Sequence, residues 1–216
     1  MFPLYDTVRS RRPALINWLL IALNGLIFIY EISLGADGLY RFIHDWGLVP
    51  ATLSLDSAVT WLPLLTSMFL HGGWIHILGN MWTLLIFGNN VEGRLGHGRY
   101  LIFYLLCGVA AASAQIYFAS ASATPMIGAS GAIAGVLGAY LILFPHARIA
   151  SLVPIFFIFT LVELPAVVFL GLWFVMQLFS GWLALQGAVT NNVAWWAHVG
   201  GFAFGLITVH LFAGRR

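Results

Sequence analysis

The chain has 216 residues, 61% of them hydrophobic and 7% charged, against roughly 45–50% and 25% in a soluble globular domain. That composition excludes an ordinary soluble fold and predicts helices in a bilayer, with no length left for a separate soluble domain. The formal charge of +2 comes from nine arginines and no lysine, with no basic face interleaved with aromatics, which excludes nucleic acid as a partner.

Residues 1–14 read as a cytoplasmic amino-terminal segment. The first apolar run, Leu15 to Leu34, is too long for a signal-peptide core and lacks a clear cleavage site, so it predicts a retained first span. Residues 35–73 carry Asp37, Arg41, Asp45 and Asp56 among aromatics and read as a structured outer interfacial loop. Further spans are predicted over Ile75 to Gly88, Tyr100 to Phe118, Ser130 to Phe144, Leu164 to Leu185 and Ala194 to Phe212. The tract Ala119 to Thr124 reads as an outer loop. The apolar stretch Ile149 to Leu185 has the length for two spans, but Glu163 and Pro165 interrupt it, so Ile149 to Leu161 reads as an interfacial approach to the fifth span. The lone Cys107 excludes an intramolecular disulfide.

Positive residues stay on the cytoplasmic side of a membrane. Six spans with the amino terminus inside place Arg9, Arg11, Arg12, Arg94, Arg99, Arg148, Arg215 and Arg216 inside and leave only Arg41 outside. A seventh span would export Arg215 and Arg216. The expectation is an all-α membrane protein, a six-helix bundle forming one membrane domain over 1–216 with both termini cytoplasmic.

A polar side chain in lipid is costly and asks for a partner or a purpose. His76 and Asn80 in the second span, Ser130 opening the fourth and His198 in the sixth stand out, and these three helices run in the same direction. Measured from the cytoplasmic ends, Ser130 lies about 22 Å up, His198 about 24 Å, Asn80 about 21 Å and His76 about 27 Å, at 1.5 Å per residue. The four share one depth. Gly131 and Gly135 in the fourth span, and Gly201 and Gly205 in the sixth, form Gly-x-x-x-Gly patterns that let helices approach closely.

Packing of those two helices would bring His198 to Ser130, and an imidazole beside a hydroxyl makes a nucleophile at neutral pH. No carboxylate is placed to orient the histidine: Glu31, Glu92 and Glu163 lie elsewhere. A Ser-His dyad is implied. His76 and Asn80, four apart and on one helical face, are side-chain donors suited to an oxyanion. Taken singly, each residue has a plainer reading: Ser130 as a helix cap, His198 as a packed polar group, Asn80 as interhelical glue.

The chain resembles the rhomboid family of intramembrane serine proteases from Trp61 through Gly205. His76-Ile-Leu-Gly-Asn80 is similar to the family's His-x-x-x-Asn and is followed by Glu92-Gly-Arg94-Leu-Gly96. Gly128-Ala129-Ser130-Gly131 is similar to its Gly-x-Ser-Gly. Ala197-His198-Val-Gly-Gly201-Phe-Ala-Phe-Gly205 is similar to its Ala-His-x-x-Gly-x-x-x-Gly. The resemblance implies Ser130 as nucleophile, His198 as general base and then acid, and His76, Asn80 and the Ser130 backbone amide as the oxyanion site. Gly128, Ala129, Gly131 and Gly201 would bind substrate or pack helices. It implies hydrolysis of a peptide bond in or near a transmembrane segment through an acyl-enzyme, with no metal and no cofactor, and access through movement of the fifth span and an outer cap loop. Two positions depart from the pattern. Ala134 stands where some members carry a tyrosine that stacks on the histidine, and Trp61 is followed by Leu62 where many members have Trp-Arg.

The expected partners are transmembrane protein substrates and membrane lipids, and the expected location is a multi-pass position in a bacterial cytoplasmic membrane. Rival readings are a non-catalytic relative that binds membrane helices, a transporter, which would need charged residues near the midplane, and a zinc protease using His71, His76 and His198, for which the His-Glu-x-x-His spacing is absent.

Overall fold

In lipid the backbone must satisfy its own hydrogen bonds, which is why apolar runs coil into helices. The computed structural model describes residues 2–8, 10, 12–54, 57–155, 158–188 and 193–214. Arg9, Arg11, Arg215 and Arg216, part of the expected cytoplasmic charge, and Asp56 of the outer loop lie outside the described residues. The elements in order are β1 (Phe2–Asp6), α1 (Leu15–Ser33), α2 (Gly35–Trp46), α3 (Pro63–Thr66), α4 (Trp74–Thr83), α5 (Asn89–Leu95), α6 (His97–Phe118), α7 (Ser130–Leu143), β2 (Arg148–Ile155), β3 (Ile158–Pro165), α8 (Ala166–Leu185) and α9 (Trp195–Phe212). Among the described residues four helices are long and apolar enough to cross a membrane: α1, α6, α8 and α9. A π-helical turn over Leu84–Gly88 joins α4 to α5 without a break, so this course also approaches bilayer length, whereas α7 has 14 residues and spans about 21 Å.

The π turn has a visible cause. Asn17 of α1 inserts against it, donating from Nδ2 to the Leu84 carbonyl at 2.9 Å and accepting from the Tyr100 hydroxyl at 2.6 Å, and a group wedged into the helical ladder widens it locally. One turn on, the Glu92 carboxylate accepts the first-turn N–H groups of Ile16 and Asn17 at 2.9 and 2.7 Å, satisfying donors a helix start leaves open.

The expected all-α fold is corrected to a mostly helical one with a three-stranded antiparallel sheet, ordered β1-β2-β3. Residues expected as an interfacial approach, Ile149 to Leu161, instead form a hairpin with Arg148 opposite Pro165 and Ile155 opposite Ile158. The amino-terminal segment adds the third strand, Phe2 opposite Leu152 and Asp6 opposite Ile149. Leu164 and Pro165 end β3, so the expected fifth span begins at Ala166 rather than Leu164. The second helical course runs past Gly88 to Leu95, and residues 35–73 are structured, with α2 and α3 and three 3-10 turns.

The sheet ties the segment before α1 to the segment after α7. On the same side a Cβ on Gly93 of α5 would meet Ser10, and one on Gly214 after α9 would meet Arg99 of α6. Buried side chains of α6 and α7 form the core together with Leu84 and Phe87 of the π turn, Val91 and Leu95 of α5, Phe169 and Leu170 of α8, and Phe202 and Val209 of α9.

Candidate active site

The site is built where α7 and α9 touch. A Cβ on Gly201 would fall on the Gly131 carbonyl and one on Gly205 on the Gly135 carbonyl, so only hydrogen at these positions permits backbone contact between the helices. The fourth and sixth spans expected from the sequence therefore pack together. Ser130, the first residue of the short α7, opens onto a cavity of about 1060 Å³. Ser130, His198, His76, Asn80, Gly128 and Gly131 all line that cavity. Ala129 is fully buried beside it, and Gly201 serves the helix contact.

Ser130 Oγ lies 2.8 Å from His198 Nε2. On the far side of the ring, Nδ1 lies 2.8 Å from Gln177 Oε1 of α8. The orientation of that amide follows from its other end, where Gln177 Nε2 donates to the Trp173 carbonyl at 3.4 Å. The oxygen thus faces the histidine, Nδ1 carries the proton, and Nε2 is left as the acceptor facing the hydroxyl. This is the tautomer that can take a proton from serine. Trp173 and Trp195 flank the ring, with centroids at 6.0 and 6.2 Å, and Ala134 is a small, buried residue of α7. Sequence reasoning missed Gln177, although a lone amide midway along an apolar helix is itself a signal.

His76 and Asn80 sit on one face of α4. Gly72 N–H donates to His76 Nδ1 at 3.4 Å, which leaves the proton on Nε2. Gly128 is the floor: its φ of 120° favours glycine, and a Cβ there would lie 2.6 Å from His76 Nε2 and 3.6 Å from Asn80 Nδ2. Two side-chain donors therefore converge on the space in front of Gly128. The start of α7 adds backbone N–H groups with no acceptor within the helix. Glu31, Glu92 and Glu163 are all remote from the His198 ring: Glu31 accepts from His71 N–H, Glu92 caps α1, and Glu163 pairs across the hairpin with Ala150. Among the described residues no three of His, Cys, Asp and Glu form a group able to hold a metal ion.

A family model described as Rhomboid domain matches residues 58–215. The chain belongs to the rhomboid family. It is 37% identical over 126 residues to Rhomboid protease GluP of Bacillus subtilis, covering 58% of this chain and 24% of that protein. It is 27% identical over 191 residues to the mitochondrial Rhomboid protein 1 of Saccharomyces cerevisiae, covering 85% of this chain and 52% of that one. To the mitochondrial Presenilin-associated rhomboid-like protein of Mus musculus it is 30% identical over 191 residues, covering 87% of this chain and 46% of the relative. The chain thus spans between about a quarter and half the length of these relatives. They divide between bacterial and mitochondrial proteins, so they do not support the expected bacterial cytoplasmic membrane, whereas the family and the apolar helices place the chain in a membrane.

Proposed function

We propose that this rhomboid is an intramembrane serine endopeptidase that hydrolyses peptide bonds in or near transmembrane segments. The observation that carries this reading is the contact of Ser130 Oγ with an unprotonated His198 Nε2 at 2.8 Å. Ser130 Oγ attacks the scissile carbonyl carbon while its proton passes to Nε2. The carbonyl oxygen becomes an oxyanion, met by His76 Nε2–H, Asn80 Nδ2–H and the Ser130 amide; one such donor contributes roughly 3–4 kcal/mol. The C–N bond then breaks, Nε2–H protonates the leaving amine, and an acyl-enzyme remains. Water gives a proton to His198 and attacks the ester carbonyl; the bond between the acyl carbon and Ser130 Oγ then breaks, His198 returns the proton to Oγ, and the carboxylate product leaves. No metal or cofactor enters a step.

The same reading takes the chain as one membrane domain with six crossings and both termini cytoplasmic. It is supported by the sheet and the neighbouring ends of α5, α6 and α9, which gather with Arg94, Arg99 and Arg148 on one side, the side positive charge marks as cytoplasmic. Transmembrane proteins are the proposed substrates.

The test is cleavage of a model transmembrane substrate by the purified protein in liposomes, with Ser130→Ala as the control. Turnover by the native protein and none by the folded variant is expected. Undiminished turnover by Ser130→Ala would end the serine-protease reading. Substrate binding by the native protein without turnover would favour a non-catalytic helix binder.

A further inference from the structure

Asn80 presents an amide with two unlike ends, and only the NH2 end serves an oxyanion. We propose that His71 is a positioning residue: its Nε2 accepts a hydrogen bond from Asn80 and so keeps the amide NH2, not the carbonyl, toward the space in front of Gly128. This rests on the serine-protease reading and adds a residue to it. From the sequence His71 was weighed only as a metal ligand.

Four observations converge. Asn80 Nδ2 lies 3.0 Å from His71 Nε2, and an amide nitrogen has no lone pair to accept with, so it donates and Nε2 must be bare. The neutral ring then carries its proton on Nδ1. The same Nδ2 lies 3.6 Å from the Cβ position of Gly128, so one of its two hydrogens is spent on His71 and the other faces the reacting carbonyl. The residue is fixed through its backbone: the His71 amide N–H is shared between the two oxygens of Glu31, at 3.1 and 3.2 Å, and both residues are about 1% exposed. The His76 ring packs edge-on at 5.0 Å. A reversed Asn80 amide would set a carbonyl against the developing negative charge, and with Nε2 bare it would also set two acceptors against each other. The arrangement therefore selects one amide orientation.

The role predicts a particular kinetic pattern for His71→Phe, which keeps an aromatic ring but has no acceptor. With the transmembrane substrate in liposomes, kcat should fall about tenfold or more with KM little changed, because the donor acts mainly on the transition state. His71→Gln, whose carbonyl can accept from Asn80, should recover most of the loss. In an Asn80→Ala background His71→Phe should cost nothing further, since residues acting through one another are not additive. A loss in KM alone, or the same kcat loss with and without Asn80, would make His71 merely structural and overturn the proposal. Nitrogen-15 histidine spectra of the native protein decide the contact even where His71→Phe does not fold: a proton on Nδ1 is expected, and a proton on Nε2 would overturn it. Native protein that lacks Ser130-dependent cleavage would overturn the protease reading and this role together. Normal native cleavage with an unchanged kcat in His71→Phe would overturn this role alone.

Discussion

Helices α7 and α8 both contribute to the His198 environment, yet they are held in opposite ways. In α7 ten consecutive residues, Gly131 through Tyr140, are buried, and its contact with α9 is backbone against backbone. In α8 only five of twenty residues are buried, Ala166, Phe169, Leu170, Gln177 and Gly181, while Val167, Leu172, Val175 and Phe179 face outward. The nucleophile and its base are thus set by a seam that cannot shift without backbone clash. The group that fixes the tautomer of the base, Gln177, comes from the loosely held helix. Distance and proton position are controlled by separate structures, and mutations should separate them.

The seam offers the largest effect. A Cβ on Gly205 would meet the Gly135 carbonyl carbon at 2.6 Å and Cα at 2.7 Å, and backbone cannot rotate away as a side chain can. Gly205→Ala should therefore force α7 and α9 apart, at a stability cost of about 1–3 kcal/mol. Because a displacement of about 1 Å costs on the order of 10²-fold in rate, turnover should fall that far. The comparison is sharpened by Gly171→Ala on α8, where nothing lies within 4 Å: turnover should be unchanged and stability equal or higher. Thermal unfolding in detergent together with liposome kinetics checks both. Equal effects at the two glycines would dissolve the distinction between the helices.

Gln177→Leu should give the reverse pattern. Without an acceptor at Nδ1 the imidazole loses its preference for the reactive tautomer, and turnover should drop about 10- to 100-fold, within the roughly 10²–10⁴ that general base catalysis supplies. Stability should change by less than about 1 kcal/mol, as for interhelical hydrogen bonds in general. Gln177→Glu, which keeps an acceptor, should retain most of the activity. A kcat in Gln177→Leu equal to that of the native protein would show that His198 needs no partner on α8.

The seam was readable in advance because its signals are local. Gly-x-x-x-Gly spacing fixes a helix face, and a hydroxyl or imidazole amid apolar residues is conspicuous at any depth. Gln177 obeys the same rule and was passed over because only carboxylates were considered as orienting groups, whereas an amide carbonyl accepts equally well. The sheet was hidden for a different reason. Residues 149–165 form an apolar run whose composition suits a strand or a buried helix alike, and its pairing with residues 2–6 bridges most of the chain, which no local pattern encodes. His71 was weighed only as a metal ligand, since its contacts with Asn80 and Glu31 come from two helices at once and no local pattern encodes them.

The smallest effect concerns the end of the same seam away from Ser130. Asp6 of β1 accepts from the Tyr140 hydroxyl of α7 at 2.5 Å, from Asn90 Nδ2 at 2.7 Å and from Val8 N–H at 3.2 Å, so the sheet is latched to the helix that carries Ser130. Burial raises the Asp6 carboxyl above its ordinary value of 3.8, and the hydrogen bonds from Tyr140, Asn90 and Val8 only partly oppose it. A carboxyl whose folded value is raised binds its proton more tightly in the native state than in the unfolded chain. Its stabilising contribution is therefore complete below 3.8 and is lost as pH rises through the higher folded value. Asp6→Asn removes that dependence while keeping an oxygen for Tyr140. Native protein should thus lose stability relative to Asp6→Asn as pH is raised from below 3.8 toward neutrality, with cleavage rates little altered because the latch is a helix-length from the reacting atoms. Parallel stability curves for the two proteins across that range would mean that the hydrogen bonds fully offset burial. A kcat that tracked the Asp6 titration would mean that the sheet, and not the glycine seam alone, sets the position of Ser130.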